Sequence, residues 1–318
     1  MESVQPKPRA AVDQILPFER PIADLEERLE HAVDEKERSK LKLALDRERE
    51  RIFADLTPWQ RVQLARHPQR PRMLDYVFSI FEDFIELHGD RLAKDDRAMV
   101  GGIARFHGQT VVVVGQQKGV STEEKVSRNF GMAHPEGYRK SLRLFKLAER
   151  LHLPVITLVD TPAAHLDIDA ERGGQGPAIA ENLLYLMGIK TPVCCILLGE
   201  GGSGGALAIA VGDWIAMLEH AMYVICPPEQ CAEILWRDAD KKELAASAMR
   251  VTARELLALG VIDSVVPEPG GGAHRSPAAS YAKVAEEIAR FLDKAAEGAW
   301  APEKRQDRFR KMGAWLES

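Results

Sequence analysis

The chain has 318 residues, of which 45% are hydrophobic and 29% are charged, and its net charge is −5 with a pI near 6.0. This composition is typical of a globular protein with one large domain plus an appendage, or with two domains. The acidic balance argues against a general nucleic-acid or membrane-surface binder. Apolar runs stay short of the ~20 residues that a membrane helix needs, and the N-terminus lacks a signal-peptide layout, so we expect a cytoplasmic protein.

The cysteines do not indicate a metal site. The chain has four of them, Cys194, Cys195, Cys226 and Cys231. No C-x-x-C spacing occurs, and adjacent cysteines on a strand point to opposite faces. The sequence therefore favours reduced, buried thiols and predicts no zinc ribbon in this chain.

The N-terminal third of the chain has helical character. Residues 1–20 are proline-rich, and we expect a flexible terminus there. Residues 21–95 form a predicted helical region whose first segment has a thin apolar stripe at helical spacing. The stripe indicates either a helix that packs against another element or chain, or a charged helix that is exposed to solvent. Thr57 is a plausible N-cap for a second helix, and the run 73–90 predicts a third.

Residues 96–297 form the predicted main domain, an α/β core in which short apolar strands alternate with helices. Two β runs flank His107-Gly108 and predict a hairpin. The continuous apolar runs "PVITLVD" and "PVCCILLG" indicate strands buried on both faces of a sheet. Strand-strand-helix units recur up to a closing helix, and residues 298–318 are interpreted as a C-terminal tail.

The glycine-rich stretch "GEGGSGGALAIAVGDWIAM" begins at Gly199 and is the most distinctive motif. Its G-x-G-x-x-G spacing matches a dinucleotide fingerprint, but Glu219, the candidate ribose ligand, falls in a predicted turn. A segment without side chains after a buried strand also presents backbone N–H groups to a ligand, as in an oxyanion hole. Tight helix–sheet packing explains one or two of these glycines but hardly five. We therefore favour anion stabilisation over nucleotide binding.

A second loop, "DTPAAHLDIDAERGGQG", follows another buried strand and is expected to face the same cleft. Within it, His165 is a candidate general base, and Asp160 is its candidate partner. His134 and His220 are equally well explained as ordinary surface residues. Seven basic residues offer either attraction for phosphates or a solvated helix face: Arg139, Lys140, Arg143, Lys146 and Arg150 on one helix, with Lys118 and Lys125 upstream.

The chain resembles the carboxyltransferase alpha subunit of bacterial acetyl-CoA carboxylase in five motifs that occur in the same order. They are "FADLTPWQRVQLARHPQRP", "VGGIARFHGQ", "NFGMAHPEGYRKSLRL", "GEGGSGGALAIAVGD" and "PEPGGGAHR". The resemblance spans about residues 17–290. It implies a crotonase-like spiral of strand-strand-helix units with an N-terminal helical extension. It also implies a beta subunit that carries a zinc ribbon, biotin carboxylase, and biotin on a carrier protein rather than on this chain.

The resemblance further implies carboxyl transfer from carboxybiotin to acetyl-CoA, giving malonyl-CoA in an assembly of two alpha and two beta chains. Gly204 and Gly205 match the glycine pair that is assigned to the hole for the biotin ureido oxygen. The substrate-binding residues implied around this pair are Gly201, Gly202, Ser203, Ala163, Ala164 and His165.

The second loop departs from the family pattern. Ala163 stands for glycine, His165 for tyrosine, Leu166 for proline and Asp167 for glycine, while a family arginine falls on Gly173. If the family glycines hold positive φ angles, each replacement at those positions costs roughly 1 kcal/mol unless the loop reshapes.

The clustering of these changes predicts a diverged second copy that keeps the reaction and evades an inhibitor. One alternative is a copy that accepts a different acyl-CoA as its substrate. Another is an inactive scaffold that binds the beta subunit. An NAD-dependent oxidoreductase, based on the glycine spacing alone, is a remote one.

Overall fold

The computed structural model describes residues 14–313, so the proposed flexible N-terminus lies mostly outside the described residues. The chain begins with two helices, α1 (Arg20–His31) and α2 (Glu35–Ala54), where the sequence predicted one. The break comes at Ala32, whose backbone is extended, and Asp34 starts α2 by accepting a hydrogen bond from the Glu37 N–H. Within 14–313, no helix is both long and apolar enough to cross a membrane.

The predicted third helix, 73–90, is only half correct. Helix α3 (Pro58–Ala65) starts at Thr57 with a capping box, as expected, and α4 covers Met73–Ile80. The chain then extends into strand β1 (Glu82–Glu86), which pairs antiparallel with the next strand. The apolar residues of this run have helical spacing, but pairing with the edge of the sheet stabilises an extended strand here instead. The region 21–95, predicted to be helical, therefore also contributes a strand to the sheet.

The seven remaining strands join β1 in one eight-stranded sheet with the order β1-β2-β3-β4-β5-β6-β8, and β7 pairs with the end of β5. Their bounds are β2 (Met99–Phe106), β3 (Gln109–Gln116), β4 (Val155–Thr161), β5 (Val193–Gly202), β6 (Trp214–Leu218), β7 (Met222–Val224) and β8 (Ser264–Val266). The pairs β1–β2 and β2–β3 are antiparallel, whereas the pairs from β3 onward are parallel. The predicted hairpin at His107-Gly108 is confirmed, and both residues adopt the positive φ that such a turn requires.

Helices cover the sheet and complete the crotonase-like α/β fold. They are α5 (Thr122–Ser127), α6 (Pro135–Leu151), α7 (Ile168–Arg172), α8 (Gln175–Gly188), α9 (Ser203–Leu207), α10 (Pro228–Trp236), α11 (Lys242–Ala248), α12 (Ala253–Ala258), α13 (Pro277–Ala296) and α14 (Pro302–Lys311). Strands β4 and β5 are buried along their whole length, as the apolar runs predicted.

The segment 298–318, interpreted as a tail, contains α14. Arg305 of this helix is fully buried and donates to the Asp213 carboxylate and to the carbonyl groups of Leu186, Ile189 and Thr191. Its guanidinium therefore fixes the C-terminal helix to the end of α8 and to the chain around β6. The tail prediction missed this because a helix with eight charged or polar residues among ten has no apolar stripe.

The topology also places the two loops singled out from the sequence. Strands β4 and β5 are parallel neighbours, and Thr161 at the end of β4 lies opposite Gly201 near the end of β5. Carboxyl ends of adjacent parallel strands meet at one edge of a sheet, where ligands of open α/β sheets commonly bind. The expectation that both loops face one place is confirmed.

Candidate functional site

The end of β5 and the loop after β4 are in direct backbone contact. A Cβ built on Gly202 would stand 1.8 Å from the Pro162 carbonyl oxygen, and one on Gly205 would stand 2.4 Å from the Ala164 nitrogen. No side chain fits at either position, because the opposing atoms belong to backbone. These glycines are therefore required by the close approach of two segments that each carry predicted site residues.

The glycine segment changes direction at Ser203. Gly199, Gly201 and Gly202 belong to strand β5, and α9 starts at Ser203, which has a φ of 53° and an exposed side chain. Since the first glycines are strand residues rather than a loop that opens a helix, the dinucleotide interpretation is not supported. The N–H groups of the first turn of a helix have no acceptor in a preceding turn, so Gly204 and Gly205 can offer theirs to a ligand.

Space around the two candidate catalytic glycines differs. A Cβ on Gly204 would meet nothing nearer than the Ile179 side chain at 3.7 Å, whereas one on Gly205 would overlap the backbone of Ala163 and Ala164. Gly204 thus borders open space, and Gly205 forms the seam between the two loops. The backbone of Ala163 and Ala164 therefore lies directly against Gly205.

A buried amide, which the sequence analysis missed, supports this seam. The Gln116 side chain at the end of β3 donates to the Gly205 carbonyl oxygen at 3.0 Å and accepts from the Asp160 N–H at 3.2 Å. It thereby ties β3, β4 and the glycine segment together. The sequence held a weak signal for it, since Gln116 directly follows the apolar run 111–115 of β3.

Charged side chains form a buried network under the glycine segment. Lys118 lies 2.7 Å from the Asp160 carboxylate and 2.6 Å from that of Glu200, while Arg66 binds Glu200 at 2.8 Å and Arg72 stands 3.6 Å from Asp160. Burial raises the pKa of Glu200, but the adjacent Lys118 and Arg66 outweigh it and leave the pKa lowered. Lys118 is therefore an internal counterion, and neither alternative offered for the basic group, phosphate attraction or a solvated face, holds for it.

The predicted Asp160–His165 pair is also wrong, because each residue has other partners. Asp160 belongs to the buried network, whereas His165 has its Nε2 3.0 Å from the Asp167 carboxylate and its Nδ1 2.7 Å from the Asn129 amide. The His165 backbone is held by Gln175, whose side chain donates to its carbonyl oxygen.

The altered loop is not strained at its former glycine positions. Asp167 has an extended backbone with φ of −147° and caps α7. Ala163 does not have a positive φ either. Two of the replacements, His165 and Asp167, bond to each other. The loop therefore carries no positive-φ strain at these positions, and the cost of roughly 1 kcal/mol per residue does not arise.

His220 and much of the basic group are structural. The His220 ring is buried and lies 2.9 Å from the Arg61 guanidinium, and burial lowers its pKa to about 4, so the surface interpretation of His220 is wrong. In α6, Lys140 is fully buried on Asp95, and Arg139 binds Asp90. These two side chains form neither a phosphate site nor a solvated face.

Structural comparison defines the class of the fold. The model superposes on transcarboxylase 12S, solved with methylmalonyl-coenzyme A and methylmalonic acid, with a TM-score of 0.59 and 19% identity over 72% of this chain and 42% of that one. It also superposes on the beta subunit of geranyl-CoA carboxylase from P. aeruginosa, with a TM-score of 0.55 and 16% identity over 76% and 45% of the two chains. The chain thus spans less than half of either protein, and it has the crotonase-like fold of carboxyltransferases.

Sequence comparison gives the family. Residues 15–313 match the family described as acetyl co-enzyme A carboxylase carboxyltransferase-like. The chain is 48% identical over 315 residues to the acetyl-coenzyme A carboxylase carboxyl transferase subunit alpha of Thermosynechococcus vestitus, covering 96% of this chain and 97% of that protein. It is 50% identical to the subunit of the same name from Aromatoleum aromaticum, covering 95% and 97%. The chain belongs to this carboxyltransferase family.

Proposed function

We propose that the chain is the carboxyltransferase alpha subunit of an acetyl-CoA carboxylase. In this function the carboxyl group of carboxybiotin, held on a carrier protein, moves to acetyl-CoA to give malonyl-CoA for fatty acid synthesis. The observation that carries the proposal is the glycine segment 201–205, which lies directly against the loop 163–165 at the carboxyl end of the sheet. Relatives that are about 50% identical over nearly their whole length carry this subunit name.

The chain's part in the reaction is to stabilise charge with backbone donors. Carboxyl transfer leaves negative charge on the biotin ureido oxygen, and preorganised N–H groups lower the energy of such a charge where it develops. We assign this role to Gly204 and Gly205. Gly201, Gly202 and Ser203 shape one wall of the substrate site, while Ala163, Ala164 and His165 shape the other.

The site is proposed to be completed by a second subunit. Leu166 and Ile168 of the second loop and Leu207 of α9 have 76%, 69% and 37% of their surface exposed, and we propose that a partner covers them. A beta subunit that carries the zinc ribbon is the partner we expect on this surface, in a cytoplasmic assembly of two alpha and two beta chains. Biotin carboxylase and the biotin carrier protein join that assembly.

The altered loop is proposed to keep the reaction and to change inhibitor binding. Its backbone avoids positive φ at 163 and 167, and His165 and Asp167 stabilise one another, so a loss of folding is not expected. At the same time a tyrosine and two glycines that are usual in the family at this loop are replaced. An inhibitor that contacts these family residues should bind this chain more weakly.

The test is reconstitution of the full chain with a beta subunit and measurement of malonyl-CoA formation from carboxybiotin and acetyl-CoA. Turnover comparable to a family member supports the proposal, and a stable complex without turnover favours the scaffold alternative. A variant that restores the family loop, Ala163→Gly with His165→Tyr, Leu166→Pro and Asp167→Gly, is the matched control for inhibitor response. Equal inhibitor sensitivity of both proteins would rule out the evasion proposal.

A further inference from the structure

Two histidines and one aspartate converge beside the altered loop. His134 is the N-cap residue of α6, whereas His165 and Asp167 come from the loop after β4. One ligand atom from each of the three residues lies within 4.8 Å of the other two. The rings of His134 and His165 have centroids 4.3 Å apart, and the His165 Nε2 is 3.0 Å from the Asp167 carboxylate.

We propose that His134, His165 and Asp167 bind a divalent transition-metal ion such as Zn²⁺ or Co²⁺. Two imidazoles and one carboxylate are ligands that these ions take, and such a set of three leaves a further position for water or another ligand. Ligand atoms at tetrahedral positions about 2.0–2.2 Å from a metal lie roughly 3.4 Å apart, so small side-chain rotations bring the observed set into range. This site is not among those expected from the sequence, which predicted no metal in the chain.

The surroundings hold each ligand in position. Asp167 uses its Oδ1 to cap α7 through the Ala170 N–H, at 2.6 Å, and this leaves Oδ2 directed at His165. The backbone N–H of His134 donates to the Asp96 carboxylate at 2.7 Å, and its Nδ1 stands 3.9 Å from the same oxygen. The longer of these two distances is no hydrogen bond, so Asp96 positions the backbone of His134 and not its ring.

Metal binding also requires a change at Asn129. The Asn129 amide lies 2.7 Å from the His165 Nδ1 and donates to the Met132 carbonyl oxygen. When Nε2 binds a metal, the neutral ring keeps its proton on Nδ1, so the Asn129 amide must present its oxygen there and give up the Met132 bond. Access is open, because the three side chains are 31%, 20% and 44% exposed.

A second cluster of possible ligands does not offer a comparable site. Glu19, His67 and His274 also lie close together, but the Glu19 carboxylate is already bound by Arg275 at 2.7 Å and the group is buried. A metal there would have to displace a guanidinium from a buried carboxylate, which is costly. We therefore expect one metal ion per chain, and we expect it at the exposed cluster.

The experiment uses the full chain, freed of any affinity tag and treated with a chelator. Titration with Co²⁺ is followed by its visible absorption, and titration with Zn²⁺ is followed by calorimetry. The expected result is one bound ion per chain, with affinity at least about tenfold weaker in His134→Asn and in His165→Tyr. Asp167→Asn is the sharpest variant, because asparagine keeps the helix cap and removes only the charged ligand.

His152→Asn is the matched control, because His152 is exposed at the end of α6 and lies outside the cluster. It should bind the metal as the parent chain does. Absence of binding in the parent chain, or binding that survives His165→Tyr and disappears in His274→Asn, would overturn the proposal. Since the readout is metal binding and circular dichroism reports folding, the result does not depend on whether the chain is an active carboxyltransferase.

Discussion

Replacing Gly205 by alanine tests the central feature of the site. The added methyl group would lie 2.4 Å from the Ala164 nitrogen and 2.5 Å from the Ala163 carbonyl carbon, whereas ordinary contacts begin near 3.4 Å. Both opposing atoms are backbone, so neither can rotate away as a side chain would. The glycine segment and the second loop must therefore separate by about 1 Å.

The expected loss follows from that displacement. Overpacking of this kind costs about 1–3 kcal/mol of folding free energy. Removing or misplacing one donor of an oxyanion hole costs about 10²–10³ in kcat, and a shift of about 1 Å alone can cost about 10². We therefore expect Gly205→Ala to remain folded and to lose at least about a hundredfold in kcat.

The assay is malonyl-CoA formation by the reconstituted complex, with urea unfolding of the isolated chain beside it. Gly176→Ala in α8 is the matched control, because a Cβ there meets no atom within 4 Å, and it should leave kcat unchanged. Gly204→Ala separates packing from chemistry, since its Cβ has room. Its stability should match the parent chain, while its methyl group borders the space where substrate is expected.

One outcome refutes the reasoning. If Gly205→Ala assembles with the beta subunit and turns over within about threefold of the parent chain, the seam between the two loops does not position a catalytic donor. A loss of assembly in Gly205→Ala would instead be visible as a shift in complex size, and activity would then be compared at equal complex concentration.

Three further predictions concern buried polar groups. Gln116→Leu should cost about 2–4 kcal/mol in urea unfolding and lower kcat, because it strands the Gly205 carbonyl and a buried N–H; unchanged stability would contradict this. Burial lowers the pKa of His67 to about 4, so unfolded chains take up a proton first, and this residue should contribute about 3 kcal/mol to the loss of stability from pH 6.5 to 4. His67→Asn should remove that part of the loss and keep the similar part that comes from His220, whose pKa is also lowered to about 4. Arg305→Met should cost about 3–5 kcal/mol by leaving the Asp213 carboxylate unpaired, and a smaller loss would show that α14 is dispensable.

The family and most of the elements were evident in the sequence. Continuous apolar runs identified β4 and β5, because strands buried on both faces have no polar alternation. The motif "HG" between two β runs identified the hairpin, because both turn residues need positive φ. The unusual number of glycines after β5 identified the candidate site.

Other features depended on contacts between distant residues. Helical spacing at 73–90 hid β1, because the decisive interaction is an edge of the sheet formed by residues 99–106. Arg305 gave no signal, since its acceptors lie more than 90 residues away in the chain. The sequence likewise left Lys118 between phosphate attraction and a solvated face, and only the fold brought Asp160 and Glu200 to it.

The altered loop shows where this division lies. The sequence by itself determined that residues 163–167 differ from the family and that the glycine segment does not. Only the tertiary structure decided what the difference does, because φ angles and side-chain partners depend on the packing of β4, α6 and α7 around the loop. That packing removes the expected strain at 163 and 167 and brings His134 to His165 and Asp167.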